Sequence, residues 1–414
     1  MVKIYLDNAA STPIDKKVVI EMAQTVKLYG NPSSYNDCGR EAREYAEKAR
    51  LKVARFLAAH SDEVVFTSSG TEANNLAIQG IARNLQPTPV PDPAKAGTVR
   101  GTATYNLQPK TKFHIVTTRI EHPSVLEPIR QLEREGFDVT YLSVDKAGFV
   151  NLDELKNSLR PTTILVSVMY ANNEIGTIQP IAKISKVIRD FCNGLPAFHV
   201  DACQATEYLD MNINHLDVDL LTLNGSKIYG PKGVGVLYVR RGINLYPILL
   251  GGEQEAGLRA GTENLMVIGG LVVALDSIDK KEGERLSKLR DYFLEKIKIL
   301  LPDVKINGPV NDRHSMSVIH GRLPNNMNIS VPDLTSEVLL LELDKYGICA
   351  GSGSACTSHS VEPSHVLKAI GLGKKYLDGA LRFSMGRQTT KKEIDYVLKV
   401  LPKIVEDLKR RYKK

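Results

Sequence analysis

Short apolar runs rich in β-branched residues recur along the chain, separated by stretches whose apolar residues return every three to four positions. The runs Glu63–Ser68, Phe113–Thr118, Asp138–Leu142, Thr163–Met169, Ala197–Val200, Asp219–Leu223 and Gly235–Val239 predict strands. The periodic stretches predict helices over Tyr35–Ala59, Thr71–Asn84, Ser124–Glu135, Asp153–Leu159, Ile181–Asn193 and Glu263–Leu300. Alternation of this kind predicts an α/β fold, with a mainly parallel seven-stranded sheet covered by helices. In such sheets ligands bind outside the carboxyl ends of the strands, so the residues just after each strand carry the most information.

Beyond Leu300 the texture changes. Short strands at Ser317–His320, Asn326–Val331 and Leu381–Met385 mix with helices at Thr335–Lys345, Ser364–Ile370 and Lys391–Arg411, which predicts a smaller α+β domain. The N-terminal dozen residues are expected to pack with it. The expected organisation is a large domain over 15–262 and a small one formed by 1–14 with 263–414. One segment breaks the rhythm. Leu85–Lys112 carries Pro87, Pro89, Pro91, Pro93 and Pro109, a composition that continues neither helix nor central strand and reads as a polyproline-like surface insert. No internal repeat is visible.

The length of 414 residues, with 43% hydrophobic and 24% charged, supports two or three domains. The formal charge is +7, but residues 402–414 alone hold six lysines and arginines against two acids. The rest is nearly neutral, which argues against a nucleic-acid surface, and the basic end suits a helix C-terminus. Five cysteines, an odd number with no C-x-x-C pair, fit a reducing compartment. The start Met1-Val-Lys-Ile-Tyr-Leu-Asp lacks the apolar core of a signal peptide, and the run Leu265–Leu275 is shorter than the ~20 residues of a membrane span. A cytoplasmic protein that contacts no membrane is expected.

Candidate chemistry gathers after the strands. Ser68-Ser-Gly-Thr-Glu-Ala-Asn-Asn75 opens a helix and suits a phosphate, although a plain N-cap has the same appearance. His122 could equally be a helix-capping histidine. Asn172-Asn-Glu174 and Asp201, with Gln204 one turn on, follow two further strands. A buried Asp at a strand end needs a cationic partner. His199, Asp201 and Cys203 have the donor types of a metal site, but no second cluster has zinc spacing.

Lys227 is the strongest single residue. It follows an apolar strand and precedes a Gly-rich turn in Asn224-Gly-Ser-Lys-Ile-Tyr-Gly-Pro-Lys-Gly233, where a lysine can be desolvated for Schiff-base chemistry. The turn is neither a dinucleotide fingerprint nor a Walker A loop, since it opens no helix and no Ser or Thr follows the Gly-Pro-Lys. Cys356 lies among small polar residues in Ala350-Gly-Ser-Gly-Ser-Ala-Cys-Thr-Ser358, which invites a nucleophile reading, whereas Cys203 and Cys349 adjoin apolar positions and read as packing residues. Arg382 offers a guanidinium fork suited to a carboxylate.

Taken together, Phe66-Thr-Ser-Ser-Gly-Thr-Glu-Ala-Asn-Asn75, Glu121-His122, Asn172-Asn-Glu-Ile-Gly176, His199-Val-Asp-Ala-Cys-Gln204, Lys227-Ile-Tyr-Gly-Pro-Lys-Gly233, Arg259-Ala-Gly-Thr262 and Gly353-Ser-Ala-Cys-Thr-Ser sequence elements ending at Ser358 form an ordered set, beginning as early as Tyr5-Leu-Asp-Asn-Ala-Ala-Ser-Thr12. The set resembles cysteine desulfurases of the class V aminotransferase family, pyridoxal-phosphate fold type I, over nearly the whole chain. The Ser-Ala-Cys-Thr-Ser form is similar to the group I branch.

That resemblance implies a homodimeric enzyme that converts L-cysteine to L-alanine with pyridoxal 5'-phosphate. It implies that Lys227 holds the cofactor covalently and moves the Cα proton, that Asp201 pairs with the ring nitrogen, that His122 stacks on the ring and that Gln204 bonds its phenolic oxygen. Gly70, Thr71 and Ser226 would hold the phosphate, with Thr262 supplied by a partner subunit. Asn173 and Arg382 would bind substrate. Cys356 would accept the sulfur as a persulfide and pass it to an acceptor or iron–sulfur scaffold protein, for cluster assembly or tRNA thiolation. Two departures stand out: Ser226 where many relatives have His, and the long insert 85–112. The alternatives are an aminotransferase or selenocysteine lyase on the same fold, and a non-catalytic scaffold; Cys356 argues against the first and the joint presence of Lys227, Asp201, His122 and Cys356 against the last.

Overall fold

The computed structural model describes residues 3–85, 112–191, 196–310, 321–353 and 363–412. Among them the strands are β1 (Ile4–Tyr5), β2 (Val64–Thr67), β3 (His114–Thr118), β4 (Asp138–Leu142), β5 (Thr163–Met169), β6 (Ala197–Asp201), β7 (Leu220–Asn224), β8 (Gly235–Val239), β9 (Lys305–Asn307), β10 (Asn326–Ser330), β11 (Ile348–Cys349) and β12 (Ala380–Ser384). Strands β2 to β8 form one sheet in the order β2-β8-β7-β6-β5-β3-β4. Only β8 runs antiparallel to its neighbours. The seven expected strands are all there, with ends that match or slip by a single residue.

Burial on both faces explains why the signal is so clear. Every residue of β5 is buried, and successive residues of each strand serve opposite faces. Val116, Val166, Leu221 and Val236 pack into one apolar cluster, while their neighbours Ile115, Leu165, Leu220 and Leu237 pack into another. The first cluster is closed by the helices Asp37–Leu57, Ile181–Phe191 and Leu265–Asp276. Helices Gly70–Leu85 and Pro123–Arg134 close the second.

A third large cluster surrounds the antiparallel sheet β12-β10-β9 and the helices Lys280–Leu300, Ser336–Lys345 and Lys391–Tyr412. Ile4 and Leu6 belong to it, because β1 pairs in parallel with β11 and the bridge Asp7–Ser384 extends the chain alongside β12.

Three features differ from the pattern-based expectation. The helix expected over Glu263–Leu300 is two helices, Leu265–Asp276 and Lys280–Leu300. Apolar periodicity runs through the break, but Asp279 accepts from Lys281 N and restarts the chain as an N-cap. The first of the two packs into the large-sheet core and the second into the C-terminal cluster. The helix Lys16–Thr25 and the short strands β1, β9 and β11 were not expected, being too short or too exposed to give a clear period. The strand expected at Ser317–His320 and the insert residues 86–111 lie outside the described residues.

Leu221 sits in the middle of β7 with no exposed surface. Leu221→Ala should cost about 2–5 kcal/mol through lost burial and a residual cavity, read as a lower urea midpoint of unfolding. A midpoint shift close to zero would contradict the two-faced core described above.

Candidate active site

The carboxyl ends of the parallel strands open into a cavity of about 210 Å³. Its walls come from the turn after β2 (Gly70, Thr71, Asn74), from His122 and Ser124 after β3, from Met169, Ala171 and Asn173 after β5, and from Asp201, Cys203 and Gln204 at the end of β6. Asn224 and Lys227 after β7, Arg382 of β12 and Ala9 and Ala10 complete it. Residues separated by hundreds of positions therefore meet where the parallel topology sends every strand end.

Lys227 is held by the chain's N-terminal segment. Its Nζ donates to the carbonyls of Ala9 (3.0 Å) and Ala10 (2.6 Å). The segment is itself fastened to the lysine turn: Thr12 N donates to Ser226 O at 2.9 Å, and Tyr229 N donates to Thr12 Oγ1 at 2.7 Å. Tyr229 has a left-handed backbone (φ 63°), costly for a bulky residue. The surroundings hold it there: its ring lies 4.1 Å beneath the Arg387 guanidinium, and its hydroxyl accepts from Arg387 N.

Asp201 is nearly fully buried. Its Oδ2 accepts from Asn74 Nδ2 at 2.8 Å and its Oδ1 from Cys203 N at 2.9 Å. Asn74 Nδ2 also donates to Ser124 Oγ at 2.8 Å, and that hydroxyl lies 2.8 Å from His122 Nδ1. His122 caps the helix Pro123–Arg134, with Nδ1 accepting from Ser124 N. A nitrogen that accepts carries no proton, so the neutral ring bears its hydrogen on Nε2. Burial, which lowers the pKa of this imidazole, keeps it neutral. His122 thus caps a helix and also lines the cavity.

Arg382, 1% exposed, is clamped by Asp7 Oδ1 (2.8 Å from Nη2) and by the carbonyl of Asn173 (3.1 Å from Nη1), while its buried Nε finds no partner among the described residues. Gln204 Nε2 donates to Ala9 O at 2.9 Å. Ser226 lies just outside the cavity lining, its hydroxyl donating to Asn224 Oδ1 at 3.2 Å. Thr262 is exposed and takes no part in the cavity of this chain. Cys356 and Cys192 lie outside the described residues. Cys203 does line the cavity, but burial pushes its thiol well above the ordinary range, so it stays protonated and packs beneath Gly70. His199 is a sheet residue whose nitrogens lie 2.8 Å from Ser167 Oγ and 3.1 Å from Thr222 Oγ1.

Sequence reading missed Asn74, Ser124, Asn224 and Asp7. Each is an ordinary polar residue near an anticipated one; Asn74, Ser124 and Asp7 act on partners far away in the chain, whereas Asn224 holds Ser226 two residues on. The N-terminal run Asp7-Asn-Ala-Ala10 carried a resemblance but no anticipated role; its function is to supply carbonyls.

The residues present fit pyridoxal phosphate. Gly70 begins the helix Gly70–Leu85, and a Cβ there would stand 2.6 Å from Cys203 Sγ, so only glycine lets this helix start approach so closely. A helix N-terminus in a cavity wall suits a phosphate. Asn74 Oδ1, buried with no partner among the described residues, is an acceptor awaiting a donor, and Asp201 offers a buried carboxylate to a protonated ring nitrogen.

The family model for aminotransferase class-V matches residues 4–89 and 98–397. The chain belongs to the class V aminotransferase family, and the gap in the match falls inside the proline-rich stretch. Within that family it groups with the cysteine desulfurases of group I, on pyridoxal-phosphate fold type I. It is 44% identical over 412 residues to the "Cysteine desulfurase IscS" of Dictyoglomus turgidum, covering 98% of this chain and 95% of the relative. It is likewise 44% identical over 414 residues to the "Cysteine desulfurase" of Trichormus azollae, covering 98% and 94%. Among solved structures it is similar to a "NifS-like protein", with TM-score 0.84, 33% identity and coverage of 98% and 100%. It is also similar to one described as "SspA in complex with cysteine", with TM-score 0.74, 32% identity and coverage of 93% and 99%. No helix of the described residues is long and apolar enough to cross a membrane.

Next to His122, the fully buried Glu121 accepts from Thr118 Oγ1 (2.7 Å) and Met169 N (2.9 Å) through Oε1, while Oε2 finds no partner among the described residues. Burial pushes this carboxyl up to about 8, from an ordinary value of 4.5. Between those values the folded protein keeps a proton that the unfolded chain has released, so this group's contribution to stability falls as pH rises. Above about 8 both states are ionised and the trend levels off. Glu121→Gln should therefore gain stability relative to the parent as pH climbs through that window, read from urea midpoints taken at intervals across it. A difference independent of pH would mean that Glu121 does not titrate in the fold.

Proposed function

We propose that this chain is a pyridoxal-phosphate-dependent cysteine desulfurase, converting L-cysteine to L-alanine through a persulfide on Cys356 and handing the sulfur to an acceptor protein. The observation that carries the reading is the convergence of the Lys227 amine, the Asp201 carboxylate and the Arg382 guanidinium on one small cavity. Bound pyridoxal phosphate supplies an electron sink for the pair left at the substrate Cα.

The protein's side chains do the rest. Lys227 attaches the cofactor and carries the Cα proton, starting from a position between the carbonyls of Ala9 and Ala10. Asp201 holds a proton on the ring nitrogen, and Asn74 and Cys203 N fix the direction of its carboxylate. His122 covers the ring as a neutral imidazole, with its one hydrogen on Nε2. Gln204 reaches the ring's phenolic oxygen. Gly70, Thr71 and Ser226 hold the phosphate, joined by Thr262 from the partner of a homodimer. Asn173 and Arg382 orient the substrate, Arg382 Nε, which has no partner among the described residues, being a donor left over for its carboxylate.

Sulfur transfer balances without an outside oxidant. The Cys356 thiolate attacks the substrate sulfur, an S–S bond forms, the C–S bond breaks, and the carbon takes the electron pair and a proton to become the methyl of alanine. The large domain, 15–262 with the helix Leu265–Asp276, holds the cofactor. Residues 1–14 and the remainder of 263–414 carry Arg382 and Cys356. The recipient is a sulfur-acceptor or iron–sulfur scaffold protein, in cluster assembly or tRNA thiolation, and the enzyme works in the cytoplasm.

Lys227→Ala should fold normally yet lose at least the ~10²–10⁴-fold that positioned acid–base catalysis supplies, measured as alanine formed from cysteine. Near-normal turnover by that variant would refute the assignment. Cys356→Ser should still change its absorption spectrum when cysteine is added to the cofactor-loaded protein, but release neither alanine nor sulfide. Mass spectrometry of the parent after cysteine, without reductant, should find one extra sulfur on the peptide holding Cys356. Finding it on Cys38, Cys192, Cys203 or Cys349, or full alanine release by Cys356→Ser, would point to another lyase.

A further inference from the structure

Behind the lysine turn, one cation is held by groups from three distant parts of the chain. Arg387 Nε and Nη2 donate to Glu207 Oε1 at 3.0 and 2.7 Å, and Nη1 reaches Asp15 Oδ2 at 3.4 Å. Its guanidinium lies 4.1 Å over the Tyr229 ring, whose hydroxyl accepts from Arg387 N at 2.7 Å. Glu207 and Tyr229 are both buried. A buried carboxylate is costly unless a cation meets it, and a guanidinium can do so while stacking on an aromatic face. The fit is close: a Cβ at Gly386 would stand 2.7 Å from the Tyr229 hydroxyl oxygen, so only glycine lets the chain pass there.

Tyr229 is an unusual choice for its position. Its φ of 63° lies where glycine is free and a bulky side chain is strained. Glycine would relieve the backbone but would leave the guanidinium without its ring. The main chain is fixed there as well: Tyr229 O accepts from Asp15 N at 2.9 Å, and Tyr229 N donates to Thr12 Oγ1. Two residues earlier stands Lys227, whose amine meets the carbonyls of Ala9 and Ala10. Arg387 in turn follows Arg382 by five residues, past the end of β12, where Ser384 bonds Asn8 and Ala9. The cation therefore ties the run that carries Arg382 to the turn that carries Lys227.

We propose that Arg387 and Tyr229 are positioning residues for Lys227, and that their stacked contact fixes the lysine turn relative to Arg382. The inference rests on the reading of Lys227 and Arg382 given above. Neither residue lines the cavity, and both act through the lysine. Lys227 must present its amine to the Cα hydrogen of an amino acid whose carboxylate Arg382 holds, so the spacing between the two sets the rate of proton transfer. Arg382 has its own clamp in Asp7 and the Asn173 carbonyl. Loss of the stack should therefore misplace the amine and leave binding of the amino acid intact.

The two effects can be read separately on the cofactor-loaded enzyme. Exchange of the Cα hydrogen of L-alanine in deuterated water, followed by NMR over a range of alanine concentrations, gives a saturating rate per loaded site and a half-saturating concentration. Arg387→Met and Tyr229→Gly should each lower the saturating rate by about tenfold or more, the scale expected for a misplaced reacting group, with the half-saturating concentration within about twofold of the parent. Tyr229→Phe, which keeps the ring, should recover most of the rate. On the cofactor-free protein, condensation of the Lys227 amine with the aldehyde of added pyridoxal phosphate, with loss of one water, should also be slower in the first two variants when followed by absorbance. A merely structural role would lower the urea midpoint and leave both rates per folded site unchanged, and that outcome in either variant overturns the inference. So does a half-saturating concentration that rises as far as the rate falls, or a Tyr229→Phe enzyme no faster than Tyr229→Gly. A parent enzyme that binds the cofactor but exchanges no Cα hydrogen overturns the reading of Lys227 itself.

Discussion

The candidate site depends on one interaction: the amine of Lys227 held by the main-chain carbonyls of Ala9 and Ala10. Those carbonyls belong to a segment that is fastened at both ends. Behind it, Thr12 is bonded to the lysine turn; ahead of it, Asn8 Nδ2 donates to Ser384 O at 2.8 Å and Ala9 N to Ser384 Oγ at 2.8 Å. Asp7, one residue earlier, grips Arg382. A single stretch of six residues therefore sets the spacing between the amine and the guanidinium. Neither can shift without straining hydrogen bonds made by the other.

The opposite wall is governed by side-chain amides and hydroxyls. Asn74 spends both its N–H groups, one on Asp201 and one on Ser124, and the Ser124 hydroxyl then faces His122. In a buried site such a chain is worth having only if it is nearly complete, because each unmet polar group costs about 1–3 kcal/mol. Among the described residues, Asn74 Oδ1 and Arg382 Nε are buried in the cavity walls without a partner. An open donor and an open acceptor in an otherwise satisfied cavity are the signature of a site built for an occupant.

Much of this was legible in the sequence. β5 and β7 announce themselves as continuous apolar runs because both faces are covered, and Lys227, Asp201 and His122 stand just past strand ends, where a parallel sheet delivers ligands. Asn74 and Ser124 were illegible for a physical reason. Their role lies in a contact between helix starts that follow β2 and β3, and nothing in local pattern tells which of many asparagines and serines will meet. The break at Ser277–Asp279 escaped notice because an apolar stripe does not reveal which of two cores it enters. Asp279, an N-cap residue, was the available clue. Tyr229 was visible only as part of the Gly-rich turn, and its bond to Arg387 joins positions 158 residues apart.

The proline-rich stretch acquires a simple meaning from where its described neighbours stand. The helix Gly70–Leu85, sixteen residues long, touches the cavity with its first turn and ends far from it, at Leu85. The next strand begins at His114 and reaches the cavity only after its far end, at His122. Chain inserted between Leu85 and His114 thus joins the molecule at the edge remote from the chemistry. A longer or shorter connection there leaves the cavity lining in place, whereas the turn between β7 and β8, which holds Lys227, has no such freedom.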